Sequence, residues 1–363
     1  MAQKLVGILL NAAVHRGVPR QKTGQESLLN YEEAAAAYGI TPVFLRLADI
    51  DTDSGFCAAY IHGPQGYRRT ILPTPSVIHN RAIYGTDSPG MKRLLRHVPR
   101  VFNNNNRYGK DEIHGLLAQN EELRRYLPET AKGLAGLAAM MNRYPDLILK
   151  PCRGSIGNGV MRLVRVRTSS WRWNLTYLPR GARHWATLPV DQDALPRALR
   201  TRLSKVPYLV QERIPLAEMN GRPFDLRVTV QRGWGGEWQV TGLFAKLAAP
   251  GGFVSNIARG GEALSSAYVL DTAFSSRDAA ILRMSLEALS LAVARSLGQR
   301  LPGLADIGLD IGLTRDGRLF FIEANGRDQR YGFRKAGLQE IWKNSYRKPM
   351  GYARFLMEEA GPG

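Results

Sequence analysis

The chain has 363 residues, 44% of them hydrophobic and 22% charged, with 37 Gly and 20 Pro. That length and balance fit two or three globular domains and exclude fibrous, disordered and small disulfide-scaffold classes. The 50 Lys+Arg against 31 Asp+Glu leave a net charge of +19, which points to anionic partners: nucleotide phosphates, nucleic acid, an acidic polymer or an anionic surface.

The first hundred residues alternate strand and helix. KLVGILL reads as a strand, and SLLNYEEAAAAYG reads as a helix stopped by Gly39. ITPVFLRL, GFCAAYIHG, GYRRTILP and PSVIHNRAI follow as β runs, so residues 1–101 are expected to form a Rossmann-like α/β domain. The turn after the first strand, NAAVHRGVP, lacks the GxGxxG fingerprint of dinucleotide sites. The opening apolar run is too short for a signal peptide, and no stretch approaches the roughly 18 apolar residues of a membrane span. Cys57 and Cys152 cannot build a disulfide framework. A soluble, cytoplasmic protein is expected.

A second unit is expected over 102–206. Its helices are GKDEIHGLLAQNEELRRYL and TAKGLAGLAAMMNRY, and its strands are DLILKP, GVMRLVRVR, TSSWRWNLTYL and RHWATL. Between Cys152 and Lys205 there are eleven Lys+Arg against two acids, Asp191 and Asp193. Such a segment suits either a solvated face or an anion-binding one. Residues 207–363 form the third expected unit. It holds the strands YLVQERIPL, FDLRVTVQR, WQVTGLFAKLA and RLFFIEA. A helix is expected from Ser276 to Leu297, with Leu282, Leu286, Leu289, Val293 and Leu297 on one face and Gly298 as its stop. A further helix is expected at LQEIWKNSYRK.

Two segments carry chemistry. In LILKPCRGSIGNGV a strand delivers Lys150, and Gly154, Gly157 and Gly159 form a turn into the next strand. Glycines let backbone N–H groups approach phosphate oxygens, although a purely structural hairpin has the same pattern. In DIGLDIGLTRDGRLFFIEANGRD, Asp310 sits on one strand of a hairpin. Glu323 and Asn325 share one face of the other strand. Two carboxylates and an amide oxygen are hard ligands suited to Mg²⁺; solvated strand-end residues are the alternative. Trp171, Trp173, Tyr177 and Trp185 interleave with arginines as a base-stacking platform would, yet core-facing strand aromatics give the same pattern, and nucleic acid is not the expected partner.

The order Lys, Lys, glycine loop, VQE, DLR, SNxxRGG, D, ExN resembles the ATP-grasp fold. PSVIHNRAIYG, FNNNNRYGKDEIHGLLAQNEELRRYLPET, LKPCRGSIGNGV, QERIPLAEMNGRPFDLRVTVQ, VSNIARGG and FIEANGRD are similar to the YheC/YheD group, associated with the endospore coat. The resemblance implies an α+β, two-lobed ATP-grasp module behind the N-terminal domain. It implies that Lys110 and Lys150 contact ATP phosphates under a loop of Gly154, Ser155, Gly157 and Gly159. Gln211, Glu212, Arg213 and Ile214 would form the adenine hinge, and Asp225 would meet the ribose. Arg227, Lys246, Asn256 and Arg259, with Ser255 beside them, would face the γ-phosphate and acyl group. Asp310, Glu323 and Asn325 would bind magnesium, or manganese in its place. The implied activity is ATP-dependent ligation of a carboxylate to an amine or thiol through an acylphosphate. The surplus arginine beside the glycine loop suggests an acidic peptide or coat protein as substrate. The alternative is a nucleotide-binding coat-assembly protein without turnover.

Overall fold

A computed structural model describes residues 4–84, 88–98, 100–154, 157–168, 171–182 and 184–359. Three sheets organise the chain.

In the N-terminal sheet, Leu5–Leu9 lies between the parallel strands Thr41–Leu45 and Val77–Asn80, and Arg100–Phe102 pairs parallel beyond Val77–Asn80. On the other side, Phe56–Gly63 and Gly66–Pro73 form an antiparallel hairpin joined to Thr41–Leu45. The two-residue connection between those strands is too short for a parallel crossover. The sheet is therefore mixed, which departs from the mostly parallel sheet of a Rossmann-like unit. The expected helix spans Leu28–Ala36, capped by the Ser27 hydroxyl accepting from Asn30 N–H, and Gly39 follows it at φ 62°.

The second sheet is wholly antiparallel, in the order Ala186–Asp191, Arg172–Tyr177, Met161–Arg165, Asp146–Pro151, Tyr208–Glu212, Thr130–Lys132. Its last two members alter the expected organisation. Tyr208–Glu212 pairs inside this sheet, so by sheet membership the unit runs past the expected boundary at Val206. Thr130–Lys132 is an edge strand rather than the start of a helix, which begins only at Gly133. The single helix expected at 109–127 is two, Lys110–Ala118 and Glu121–Arg124. Asn120 divides them, its side-chain oxygen accepting from the N–H groups of Glu122 and Leu123 as an N-cap. Both helices bury Ile113, Leu117 and Leu123 in the core of the third unit, not under the second sheet. Arg197–Lys205, unforeseen from the sequence, packs Leu199 and Leu203 onto the second sheet.

The third sheet runs Glu262–Ser265, Trp238–Leu247, Arg222–Arg232, Asp306–Leu313, Leu319–Asn325, again antiparallel. Its central strand, Arg222–Arg232, alternates cleanly. Phe224, Leu226, Val228 and Val230 enter the main core, while Asp225, Arg227, Thr229 and Gln231 occupy the opposite face. Against the apolar face lies helix Ser276–Arg300, where all five expected residues are buried, each worth about 2 kcal/mol relative to exposure. Its N-cap is Ser275, and it continues through Gly298. That glycine is a packing residue: a Cβ there would lie 3.0–3.3 Å from the Trp238 indole. The last helix, Gln339–Glu359, returns to the N-terminal unit and buries Tyr346, Met350 and Ala353 beside Tyr31 and Phe44. Among the described residues no helix is long and apolar enough to cross a membrane.

The aromatics that interleave with arginines do not form one platform. Trp173 is fully buried, Trp171 is half exposed, and the Trp185 ring lies 4.6 Å from Phe253 on another unit.

Candidate functional site

A cavity of about 360 Å³ opens between the second and third sheets, within the usual size range of small-ligand sites. The polar face of the third sheet forms its floor. Register sets Lys246 opposite Asp225, Arg227 opposite Asp310, and Asp310 opposite Glu323. A polar row thus crosses four strands.

The row is tightly paired. Lys246 Nζ lies 3.1 Å from Asp225 and 3.0 Å from Asp310. Arg227 donates from Nε and Nη2 to the two oxygens of Asp310, at 2.6 and 3.2 Å. Ser255 donates to Asp225 at 2.6 Å. Burial by itself would raise the Asp310 carboxyl, but Arg227 and Lys246 outweigh it and hold it well below the usual range. At Asp225 burial dominates over Lys246, and its carboxyl is pushed up. Burial opposes the charge on Lys246 as well, yet Asp225 and Asp310 raise it overall.

Lys110 and Lys150 close the row from above. The Lys110 ammonium reaches Glu323 at 3.1 Å and donates to the Gly154 carbonyl at 3.1 Å. The Lys110 backbone N–H is bonded to the Cys152 carbonyl, so the helix start and the glycine loop are tied together. Lys150 is pushed down to about 8, chiefly by burial, with Glu323 opposing and Lys110 reinforcing the shift.

A bulge shapes the edge strand. Asp310 pairs with Glu323 while Ile311 pairs with Phe321, leaving Ile322 as the extra residue. Phe321 is therefore buried in the core, whereas Ile322, Glu323 and Asn325 line the cavity. The shared face of Glu323 and Asn325 was readable from the sequence; the bulge was not.

Most of the residues singled out from the sequence converge here. Lys110, Lys150, Gly154, Gly157, Gln211, Glu212, Arg213, Ile214, Asp225, Arg227, Lys246, Asn256, Asp310, Glu323 and Asn325 all line the cavity. Ser155 lies outside the described residues. Gly159 does not line the cavity; its carbonyl accepts from the Tyr208 hydroxyl at 3.0 Å. Arg259 is likewise off the wall, and donates to Asn158 of the glycine loop. In the hinge, Glu212 N–H donates to Glu129 and Arg213 N–H to Asp146. The Ile214 N–H has no acceptor among the described residues.

Several wall residues had no clear sequence signal. Ile148, Leu216 and Ile322 give the hinge end an apolar slot, although the i, i+2 spacing of Ile148 and Lys150 could have exposed the first. Gln25, from the N-terminal unit, lines the cavity, as do Gln329 and Tyr331. Phe253 packs against Trp185 and under the Arg162 guanidinium, 5.8 Å from its ring centre, joining the second sheet to the loop that carries Ser255.

The metal donors pass one physical check. Among the described residues the buried side-chain nitrogen of Asn325 has no partner, so its amide can turn its oxygen to the cavity. Among the described residues no group of three or more His, Cys, Asp or Glu forms a metal cluster. The expected set holds two carboxylates, its third donor being the amide.

The family model "YheC/D like ATP-grasp" matches residues 99–356. Two curated relatives come from Bacillus subtilis (strain 168). Endospore coat-associated protein YheD is 23% identical over 322 residues, covering 86% of this chain and 69% of the relative. Endospore coat-associated protein YheC is 23% identical over 347 residues, 90% of each. Among solved structures, the ATP-grasp ligase PsnB, complexed with a phosphomimetic variant of a minimal precursor, Mg and ADP, superposes with a TM-score of 0.51 at 15% identity, covering 99% of both chains. Because that family model spans most of the chain, the sheet with its polar row, two lysines and glycine loop has its place: the chain belongs to the YheC/D-like ATP-grasp family.

Proposed function

We propose that the protein is an ATP- and Mg²⁺-dependent ligase that activates a carboxylate as an acylphosphate and passes the acyl group to an amine or thiol. The observation that carries this reading is the row Lys246, Asp225, Arg227, Asp310 and Glu323 facing Lys110 and Lys150 across one cavity. Phosphoryl transfer needs fixed positive charge around an anionic transition state and little covalent help from the protein.

Each residue has a role in this scheme. Ile148, Leu216 and Ile322 sandwich the adenine, and Ile214 N–H donates to its ring edge. Asp225 meets the ribose. Lys110 and Lys150 hold the phosphates beneath the glycine loop. Arg227 and Lys246, with Asn256 beside them, face the γ-phosphate. Asp310, Glu323 and Asn325 would hold magnesium, which when bound would neutralise the phosphate charge. Arg259 acts on the loop through Asn158, not on the nucleotide. Closing the loop keeps water from the acylphosphate.

An acidic peptide or protein segment is the proposed substrate class. Arg153, Arg167, Arg180, Arg197, Arg200 and Lys205 are exposed, and none makes an ion pair or side-chain hydrogen bond among the described residues. Unpaired cations of one sign on the unit that carries the glycine loop attract and steer an anionic chain. PsnB is likewise described with a precursor. The names of the two relatives favour a second reading, a nucleotide-binding coat-assembly protein.

An ADP-release assay with a panel of amino acids and acidic peptides separates the two. Acceptor-dependent ADP, lost in Glu323→Ala, supports the ligase. Tight ATP binding without acceptor-dependent turnover supports the assembly protein.

A further inference from the structure

Behind Arg227, outside the cavity wall, lies a carboxylate that the scheme above leaves unused. Asp328 is completely buried. One of its oxygens accepts from Arg227 Nη1 at 3.0 Å, and the other accepts from the Thr229 hydroxyl. Its backbone carbonyl accepts from Arg81 Nη2 at 2.8 Å, and Arg81 is itself ion-paired to Glu26 and Asp306. The loop carrying Asp328 is thereby fastened to the N-terminal unit.

The sheet makes room for this carboxylate. A Cβ on Gly308 would sit 2.3 Å from Asp328 Oδ1 and 3.2 Å from Arg227 Cδ. Any side chain there would displace the acid or the arginine, so the glycine is a notch that seats both.

A guanidinium is planar, and its donors form a fixed fork, so two carboxylates on different edges determine its orientation. Asp310 holds the Nε/Nη2 edge but is shared with Lys246 and belongs to the proposed metal set. Asp328 holds Nη1 and has no cation other than Arg227 on its carboxylate among the described residues. Burial alone would lower the Arg227 pKa, and Asp310 and Asp328 together hold it above its usual range.

We infer that Asp328 is a positioning residue, which aims the Arg227 guanidinium at the γ-phosphate end of the cavity. This rests on the nucleotide reading of the site, and the test separates the two. The affinities of ADP and of a non-hydrolysable ATP analogue, each with Mg²⁺, are measured by calorimetry on the full chain. Arg227→Ala is expected to abolish the preference for the analogue. Asp328→Asn, which keeps the shape and removes the charge, is expected to reduce that preference about tenfold while ADP binding stays within about twofold. Thr229→Val, which removes only the hydroxyl that orients Asp328, is expected to shift the preference in the same direction by a smaller factor. Asp328→Glu is expected to restore part of it.

Loss of preference in Arg227→Ala with full preference kept in Asp328→Asn overturns the positioning role alone. Full preference in Arg227→Ala overturns the γ-phosphate reading and the positioning role with it. Equal weakening of ADP and analogue in Asp328→Asn marks a structural role only and also overturns the inference. Should Asp328→Asn fail to fold, Thr229→Val decides by the same comparison.

Discussion

Glu26→Gln tests whether the N-terminal unit is locked to the third sheet by charge. Glu26 is buried and accepts from Arg81 Nε and Nη2 at 3.2 and 3.0 Å, and from Arg327 at 3.3 Å. Burial by itself would raise its carboxyl, but Arg81, Arg327 and Arg330 outweigh it and hold it at about 2, against an ordinary 4.5. A folded-state pKa below the unfolded one gives stability that is complete above the unfolded value and disappears as pH falls through the folded value. The difference corresponds to about 3 kcal/mol at neutral pH and, by the same relation, to about 2 kcal/mol near pH 3.5. Glu26→Gln removes this pH-dependent part and also leaves Arg81 buried with Asp306 as its remaining acidic partner. A total loss of about 3 kcal/mol or more is expected at neutral pH. Urea unfolding of both proteins at the two pH values reads it directly. The destabilisation should shrink by about 1 kcal/mol or more on acidification. Equal destabilisation at both pH values, or a loss below about 1 kcal/mol at neutral pH, would refute the reasoning. Because Gln25 lines the cavity and Glu26 anchors its neighbour, the variant is also expected to weaken substrate-dependent turnover more than nucleotide binding.

In the proposed phosphate-binding role Lys150, held at about 8 chiefly by burial, must be protonated. Nucleotide affinity should therefore fall about tenfold per pH unit above 8, and Lys150→Arg should flatten the profile, as calorimetry across that range will show. Phe253→Ala removes the ring that joins Trp185 and Arg162 to the 253–256 segment. It should weaken ATP binding about tenfold with little change in melting temperature, read by calorimetry and circular dichroism. Gly332→Ala would place a Cβ 2.0 Å from the Phe244 ring, which lines the cavity, and should cost about 1–3 kcal/mol in urea unfolding.

What could be read from the sequence was local or alternating. Asp225 and Arg227, two apart on a strand with apolar neighbours, announced a polar face opposite a core. Leu282 through Leu297 announced the helix that covers the other side. What escaped depends on distant partners. Nothing near Asp328 in sequence indicates that Arg227 lies against it, although Gly308, in a strand otherwise rich in apolar residues, marks the notch that seats it. Gly298 looks like a helix stop until Trp238 is seen beside it. The single helix expected at 109–127 failed because Asn120, a good N-cap, outweighs the continuity of the apolar pattern. Arg259 matched its motif, yet its partner on the glycine loop comes from another sheet. The bulge at Ile322 shifts side-chain direction by one residue in a way that strict alternation cannot anticipate.

The surplus charge likewise divides once the structure is considered. Lys110, Arg227 and Lys246 are paired to carboxylates inside the cavity, whereas the six exposed cations of the second unit lack such partners among the described residues. On the proposed function, binding of acidic peptides there should weaken steeply with added salt, while nucleotide binding in the cavity, at partly buried charges, changes less.

The most direct measurement of the central claim is phosphorus NMR of the full chain with ATP, Mg²⁺ and a mixture of acidic-peptide and amino-acid substrates. The account predicts ADP and inorganic phosphate appearing in equal amounts, only when substrate is present, and not at all in Glu323→Ala. AMP with pyrophosphate, or substrate-independent hydrolysis unaffected by Glu323→Ala, would contradict it.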